Sequence, residues 1–243
     1  APGTAVQTTI DPVVQQAAEA ALDSLPGEGA IVAMRASTGE VLAVGSAVTD
    51  LAPGDTVMVT WVPKDAAQAA RPGAGVTLDL PDGTQANTRS VFTWATHTIA
   101  DEMFVVKVPS GIDREATAII GCAVITGAGA VLHTARVQPG DSVAIFGVGG
   151  VGLSAVAAAR KCGADPIIAV DLVDEKLDFA KRFGATIGIN ASEVDPIAAI
   201  RELTRRDGVY DILREPVAGV DFAFDCIGVP VTMRQISEAV RAG

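Results

Sequence analysis

The run Asp141-Ser-Val-Ala-Ile-Phe-Gly-Val-Gly-Gly-Val-Gly-Leu-Ser-Ala-Val-Ala-Ala-Ala-Arg160 decides the fold. It opens on an apolar stretch of strand length, Val143 to Phe146. Three glycines follow at Gly147, Gly149 and Gly152, and then an alanine-rich segment free of Pro and Gly as far as Cys162-Gly163. A second apolar run, Pro166 to Val170, ends in Asp171, 19 residues after Gly152. Strand, glycine turn, helix, strand and acid, in that order, form the pattern of a dinucleotide-binding unit. Gly147 permits a tight turn, Gly149 lets the backbone approach a pyrophosphate, and Gly152 lets the helix pack closely on the strand. The helix N-terminus offers free N–H groups and a positive dipole end to phosphates. A carboxylate at Asp171 accepts from ribose hydroxyls and repels a 2′-phosphate, which favours NAD over NADP. Glycine turns of this kind also serve packing alone, so the flanking strand and acid carry the reading.

Working outward, the chain has 243 residues, one large or two small domains by length. Its 49% apolar content includes only 4% aromatics, the Val, Ala, Ile and Leu core that buried parallel sheets tend to have. The net charge is −11 and the 18 basic residues form no run, which argues against nucleic-acid and anionic-membrane partners. Cys122, Cys162 and Cys226 are odd in number and widely spaced, which argues against a disulfide framework and for a reducing, cytoplasmic setting. The sequence opens Ala-Pro-Gly and shows no signal-peptide pattern. The uncharged run from Ala116 to Ala135 is long enough to span a bilayer, but Gly121, Gly127, Gly129 and His133 make it read as a buried, interrupted helix.

Toward the N-terminus, Asp11-Pro12 is an N-cap followed by proline, and predicts a helix from Val13 to Leu25 ended by Pro26-Gly27. Ala30 to Arg35, a turn at Ser37-Thr-Gly39, and Val41 to Val44 predict a hairpin. The strings Thr8-Thr-Ile-Asp-Pro-Val-Val-Gln-Gln-Ala-Ala-Glu-Ala-Ala-Leu22, Gly29-Ala-Ile-Val-Ala33 and Thr38-Gly-Glu-Val-Leu-Ala43 resemble the start of a penicillin-binding protein transpeptidase domain. That family's nucleophile lies in a Ser-x-x-Lys motif. The residues three before the five lysines here are Trp61, Phe104, Ala158, Val173 and Asp178, so the acyl-transfer chemistry is missing.

After Gly39 the pattern changes. Val48 to Val59 reads as a turn and a strand, residues 64–90 as a loop with short strands, and Phe92 to Ile99 and Met103 to Val108 as strands. Four strings then carry a second resemblance, to the medium-chain, zinc-type alcohol dehydrogenases, over residues 40–243. They are Glu40-Val-Leu-Ala-Val-Gly45 with Thr49-Asp-Leu-Ala-Pro-Gly-Asp-Thr-Val57; Ile120-Gly-Cys-Ala-Val-Ile-Thr-Gly-Ala-Gly-Ala130 leading to the glycine turn; and Val170-Asp-Leu-Val-Asp-Glu-Lys-Leu-Asp-Phe-Ala-Lys-Arg-Phe-Gly-Ala-Thr186. The resemblance implies an α/β fold. An incomplete doubly wound, Rossmann-type parallel sheet would follow a β-rich partial catalytic domain. The expected divisions are residues 1–46, a helix plus hairpin; 47–135, a β-rich, GroES-like part; and 136–243, a truncated NAD-binding part. Four strands are readable, Val143–Phe146, Ile167–Val170, Thr186–Ile189 and Phe222–Cys226, expected in the order 3-2-1-4. The fourth would be an open apolar edge through which copies could associate.

The same resemblance implies that Gly147, Gly149, Gly150, Val151 and Gly152 line the pyrophosphate and that Asp171 and Lys176 hold the adenosine ribose. It also implies that Cys226, Ile227 and Gly228 border the cofactor and that Thr126 lies near the nicotinamide. Read on their own, Lys176 is a solvated helix lysine and Thr126 an ordinary helix threonine. Cys122 matches the family's third ligand to a catalytic zinc, which acts as a Lewis acid on the alcohol oxygen. Such a site needs three protein ligands. No cysteine precedes Cys122, the matching histidine slot falls at or near Arg35, and His97 and His133 match no ligand position. An arginine stays protonated and binds no zinc. Without the metal, Cys122 reads as an ordinary buried cysteine. The structural-zinc cysteines of many relatives are absent around Lys64-Asp-Ala-Ala-Gln-Ala-Ala-Arg71, and residues 205–218 form a longer connection than usual, placed at the sheet end opposite the cofactor.

Two functional classes stand together: an NAD-linked alcohol dehydrogenase by descent, with zinc catalysis impaired or lost, or a non-catalytic fragment that at most binds nucleotide. Residues 1–46 read either as the donor half of a chimera joined near residues 39–46 or as a divergent N-terminal arm.

Overall fold

Short β-branched segments separated by turn residues build the first half of the chain as small antiparallel pieces. The computed structural model describes residues 31–45, 47–65, 67, 76–79, 85–88, 97–206, 208–210, 214 and 216–241. The helix expected over residues 13–25 and the beginning of the strand expected from Phe92 lie outside the described residues. Contacts divide the chain into two compact units, Ala1–Gly121 and Cys122–Gly243.

In the first unit the strands are β1 (Ile31–Arg35), β2 (Glu40–Val44), β3 (Val57–Val59), β4 (Val76–Asp79), β5 (Gln85–Thr88), β6 (His97–Asp101) and β7 (Val105–Lys107). The expected hairpin forms: β1 pairs antiparallel with β2, and its other side pairs antiparallel with β6. Two further antiparallel pairs are β3 with β7 and β4 with β5. Val32, Met34, Val41, Leu51, Val57, Ala100 and Val105 form the core of this unit. Met103 and Phe104 were expected in a strand, but Glu102–Phe104 is one turn of 3-10 helix. The Asp101 side chain accepts the Met103 N–H at 3.1 Å, a local bond that takes the backbone out of the ladder.

A helical run, α1 (Arg114–Ala135), follows. Asp113 caps it, accepting the Glu115 N–H at 2.8 Å. The run is interrupted as expected, by π-type turns at Ile120–Val124 and Ala130–Ala135 around an ordinary helical turn at Ile125–Gly129. The expectation that it is buried needs correction: Thr117, Gly121, Gly127 and Val131 are its buried residues, and Ile119 is 57% exposed. Only a narrow side is packed, because its close contacts run through glycine and valine. By length and composition alone the run could cross a membrane. The contact boundary falls inside α1, whereas the boundary expected at residue 135 follows its end. Val131 already belongs to the core of the second unit, with Val137, Val143 and Ile145.

That second unit contains β8 (Val143–Phe146), α2 (Gly150–Cys162), β9 (Ile167–Asp171), α3 (Asp174–Phe183), β10 (Ile187–Asn190), α4 (Pro196–Thr204), β11 (Phe222–Asp225) and α5 (Pro230–Ala239). The strands lie in the order β10-β9-β8-β11, all parallel, as the expected 3-2-1-4 arrangement requires. Alternate residues of β8 face opposite ways. Val143 and Ile145 join Ala155, Val156, Ala159, Leu177 and Ala180 on one face, while Ala144 and Phe146 join Ile200, Val220 and Ala239 on the other. All four β8 residues are buried, as a strand covered by helices on both faces must be. Burying Ile145 and Phe146 contributes about 1.5–3 kcal/mol each.

β11 is the edge strand, with all four residues half-buried. Just before β11, the chain after α5 meets Val220. Val220 donates to Ala239 O at 2.9 Å, Arg241 donates to Val220 O at 3.0 Å, and Val240 forms a parallel bridge with Val220. Behind the strands, Asp221 ties β11 to β8: its Oδ2 accepts from Ser142 N at 2.8 Å and Ser142 Oγ at 2.7 Å, and its Oδ1 pairs with Arg241. The long connection 205–218 folds back on itself through Arg206 N–H to Val217 O and Val217 N–H to Val209 O, both 2.9 Å. It enters β11 at the end away from Cys226, as expected.

Candidate cofactor site

The glycine turn lies at the carboxyl end of β8, where the strand order reverses between β8 and β11. Open α/β sheets place ligands at such a switch point. Gly147 leaves the sheet with φ +83°, and its N–H donates to Val170 O at 2.7 Å. A Cβ on it would lie 2.4 Å from Ile227 Cγ1, so conformation and space both select glycine here. A Cβ on Gly152 would lie 1.9 Å from Gly147 O, which shows the close helix-to-turn approach that the spacing suggested. Gly149 differs. Its φ of −78° is ordinary, and a Cβ there would meet nothing within 4 Å. The turn is therefore open on that side.

α2 begins on this open side. The bond from Leu153 N–H to Gly149 O, 2.8 Å, leaves the N–H groups of Gly150, Val151 and Gly152 ahead of it in the first turn. No side chain caps the helix, and its first turn holds no acid. In contrast, α3 starts with Asp174 and Glu175. An uncapped, acid-free helix start with an empty space before it suits a phosphate anion. α1 buttresses it from one flank: a Cβ on Gly127 would lie 2.1 Å from Val151 O, and one on Gly150 would lie 3.3 Å from Ala123 Cβ. Thr126 precedes Gly127 and is exposed.

Asp171 ends β9 beside the turn. Its Oδ2 accepts the Val148 N–H at 3.0 Å and its Oδ1 the Leu172 N–H at 2.8 Å. Lys176 Nζ stands 3.8 Å from Oδ1, with a half-exposed side chain. On the other side, Cys226 N–H donates to Phe146 O at 2.9 Å, which brings the loop after β11 to the end of β8. Asp225 Oδ1 accepts from Ile227 N at 3.0 Å and Gly228 N at 3.1 Å, shaping that loop. Ile227 reaches the turn at Gly147 and remains 49% exposed. Burial, with the neighbouring Asp225 carboxylate, pushes the Cys226 thiol up to about 11, so at neutral pH it is a thiol and not a metal-binding thiolate.

The structure thus brings together Gly147, Gly149, Gly150, Val151, Gly152, Asp171, Lys176, Cys226, Ile227 and Gly228, with Thr126 beside Gly127 on the flank. Sequence reasoning missed Val148, whose amide takes part in the site; the only available signal was its place between two glycines and opposite Asp171. Cys122 is exposed, which corrects its reading as a buried cysteine. Among the described residues no three His, Cys, Asp or Glu side chains converge in a group that could hold a metal. The described residues therefore present no set that fits a catalytic zinc. Arg35, at the histidine slot, instead lies 3.6 Å from Glu40. Two hollows lie away from the turn: one of about 810 Å³ in the first unit, beside Met34, Thr98 and Asp113, and one of about 540 Å³ beside Asp174, Gly188 and Glu193.

Residues 150–243 match the family model for zinc-binding dehydrogenases. The chain is 35% identical to S-(hydroxymethyl)glutathione dehydrogenase of Escherichia coli, the match covering 91% of this chain and 63% of that protein. The chain is similar to zinc-type alcohol dehydrogenases. It spans about 63% of the length of the curated relatives it matches. Solved alcohol dehydrogenases share its fold. A zinc-binding-domain alcohol dehydrogenase from Burkholderia ambifaria superposes with a TM-score of 0.66 at 35% identity, over 84% of this chain and 57% of that one. Benzyl alcohol dehydrogenase from Acinetobacter calcoaceticus gives 0.68 at 29% identity, over 90% and 68%.

Proposed function

We propose that this chain binds NAD(H) in the groove between the glycine turn and the loop after β11, and that it is an NAD-linked alcohol dehydrogenase by descent. One observation carries the reading: the helix start behind Gly149 is uncapped and free of acids, faces open space, and has Asp171 at its side. The N–H groups of Gly150, Val151 and Gly152 would hold the pyrophosphate, with Asp171 and Lys176 on the adenosine ribose. Cys226, Ile227, Gly228 and Thr126 would border the rest of the cofactor. When bound, NAD supplies the acceptor for a hydride from an alcohol carbon. The chain's own residues bind and orient it.

The names of the relatives support an alcohol or hydroxymethyl thioether as the substrate class. Zinc-assisted turnover by this chain is a weaker reading, because the described residues present no metal-ligand group. The expected result is NADH binding with negligible alcohol oxidation and no stoichiometric zinc. Incubation with NAD and small alcohols, with and without a chelator, tests it. Chelator-sensitive NADH formation would show that an active zinc site assembles. The joined-chain reading of residues 1–46 is supported by the transpeptidase-like strings alone. The match to the E. coli relative leaves 9% of 243 residues, about 22, outside it, so it reaches into this segment. Intact mass set against the source gene tests the join.

A further inference from the structure

We infer that Asp171 is a positioning residue as well as a ribose acceptor: its carboxylate fixes the glycine turn before any nucleotide arrives. This deepens the cofactor reading of the same groove, but it is drawn from hydrogen bonds within the protein. Oδ2 accepts the Val148 N–H at 3.0 Å while Oδ1 accepts the Leu172 N–H at 2.8 Å. The β8–β9 ladder ends at Phe146 opposite Val170, and the last bond across it is Gly147 N–H to Val170 O, 2.7 Å. Val148 lies one residue beyond, 2% exposed, where the sheet offers no further carbonyl. A buried amide without an acceptor is strongly unfavourable, and the acid at the end of the neighbouring strand supplies one.

The position of that bond matters more than its strength. Val148 stands between Gly147 and Gly149, two residues with wide backbone freedom. Pinning the amide between them fixes the direction in which the chain enters α2. That direction aims the N–H groups of Gly150, Val151 and Gly152. Each carboxylate oxygen retains a second acceptor direction, so the clamp and a ribose hydroxyl can share one carboxylate. An Asn side chain keeps one acceptor oxygen and turns a donor toward the second amide.

The test is amide exchange by NMR in cofactor-free wild type, D171A and D171N. A trans-hydrogen-bond coupling from the Val148 amide to the Asp171 carboxyl carbon in the wild type accompanies it. The coupling should be present, and Val148 exchange should quicken roughly tenfold or more in D171A. The Gly147 and Leu153 amides, bonded to backbone carbonyls, should hold steady. D171N should release one of the two amides, Val148 or Leu172, and keep the other. No coupling in the wild type, or unchanged Val148 exchange in a folded D171A, overturns the clamp. If D171A does not fold, D171N and the wild-type coupling decide. A wild type that shows the clamp but binds no NADH would sink the cofactor reading alone.

Discussion

Asp171 Oδ2 lies 3.0 Å from the Val148 amide nitrogen, so the acid ending β9 and the turn ending β8 form one hydrogen-bonded unit. The carboxylate is held next to where a ribose would lie, with only a tenth of the side chain exposed. Two like charges about 4 Å apart near a protein surface repel by about 4 kcal/mol before salt screening. NADH should therefore bind at least about tenfold more tightly than NADPH, a gap of about 1.4 kcal/mol. In Asp171→Ser both affinities should drop and the ratio should approach one. Fluorescence titration with both nucleotides measures it, and equal wild-type affinities would contradict the assignment of Asp171.

Gly149 and Gly152 should respond in opposite ways to the same added methyl group. At Gly149 the Cβ enters open space at an ordinary φ, so Gly149→Ala should keep the fold within about 1 kcal/mol. It should still weaken NADH by about tenfold or more, because the methyl occupies the anion's space. At Gly152 the Cβ would lie 1.9 Å from Gly147 O, so Gly152→Ala must shift the turn and should cost about 1–3 kcal/mol of stability. Thermal melts beside binding titrations separate the two. A Gly149→Ala protein with undiminished affinity would remove the pyrophosphate from this turn.

The Cys226 thiol, pushed up to about 11 by burial and Asp225, should be slow toward iodoacetamide at neutral pH. Its rate should climb as pH rises toward 11, because the thiolate is the nucleophile. Folded-state ionisation lies above the ordinary value of 9, so the associated stability is intact below pH 9 and is lost as pH rises through about 11. Peptide mapping of alkylated protein follows this. Rapid, pH-independent labelling between pH 7 and about 9 would contradict the buried-thiol account.

Asp221, 79 positions from Ser142, holds Ser142 on one oxygen and Arg241 on the other. Asp221→Ala leaves the Ser142 amide and hydroxyl without their acceptor and the Arg241 guanidinium without its partner. The expected loss is about 2–3 kcal/mol in urea unfolding, the scale of hydrogen bonds to charged groups. A change below about 0.5 kcal/mol would mean that solvent replaces the bonds.

The parallel sheet was legible because its signals are local. Val143 to Phe146, the glycine spacing and Asp171 lie within one short stretch, and their order alone fixes the crossover. The Asp221–Ser142 tie could not be read the same way, since nothing nearby marks two residues so far apart as partners. α1 misled for a related reason. Its apolar composition suggested burial, yet close packing through Gly127 needs only a narrow side, and Ile119 and Cys122 face outward. The zinc expectation rests on single positions, Arg35 and Cys122, which are read from the sequence.

Calorimetric titration of the chain with NADH tests the central claim most directly. The expected result is saturable heat at one site per chain, diminished in Gly149→Ala at unchanged melting behaviour. Heat no greater than that of dilution would contradict a cofactor site at the glycine turn.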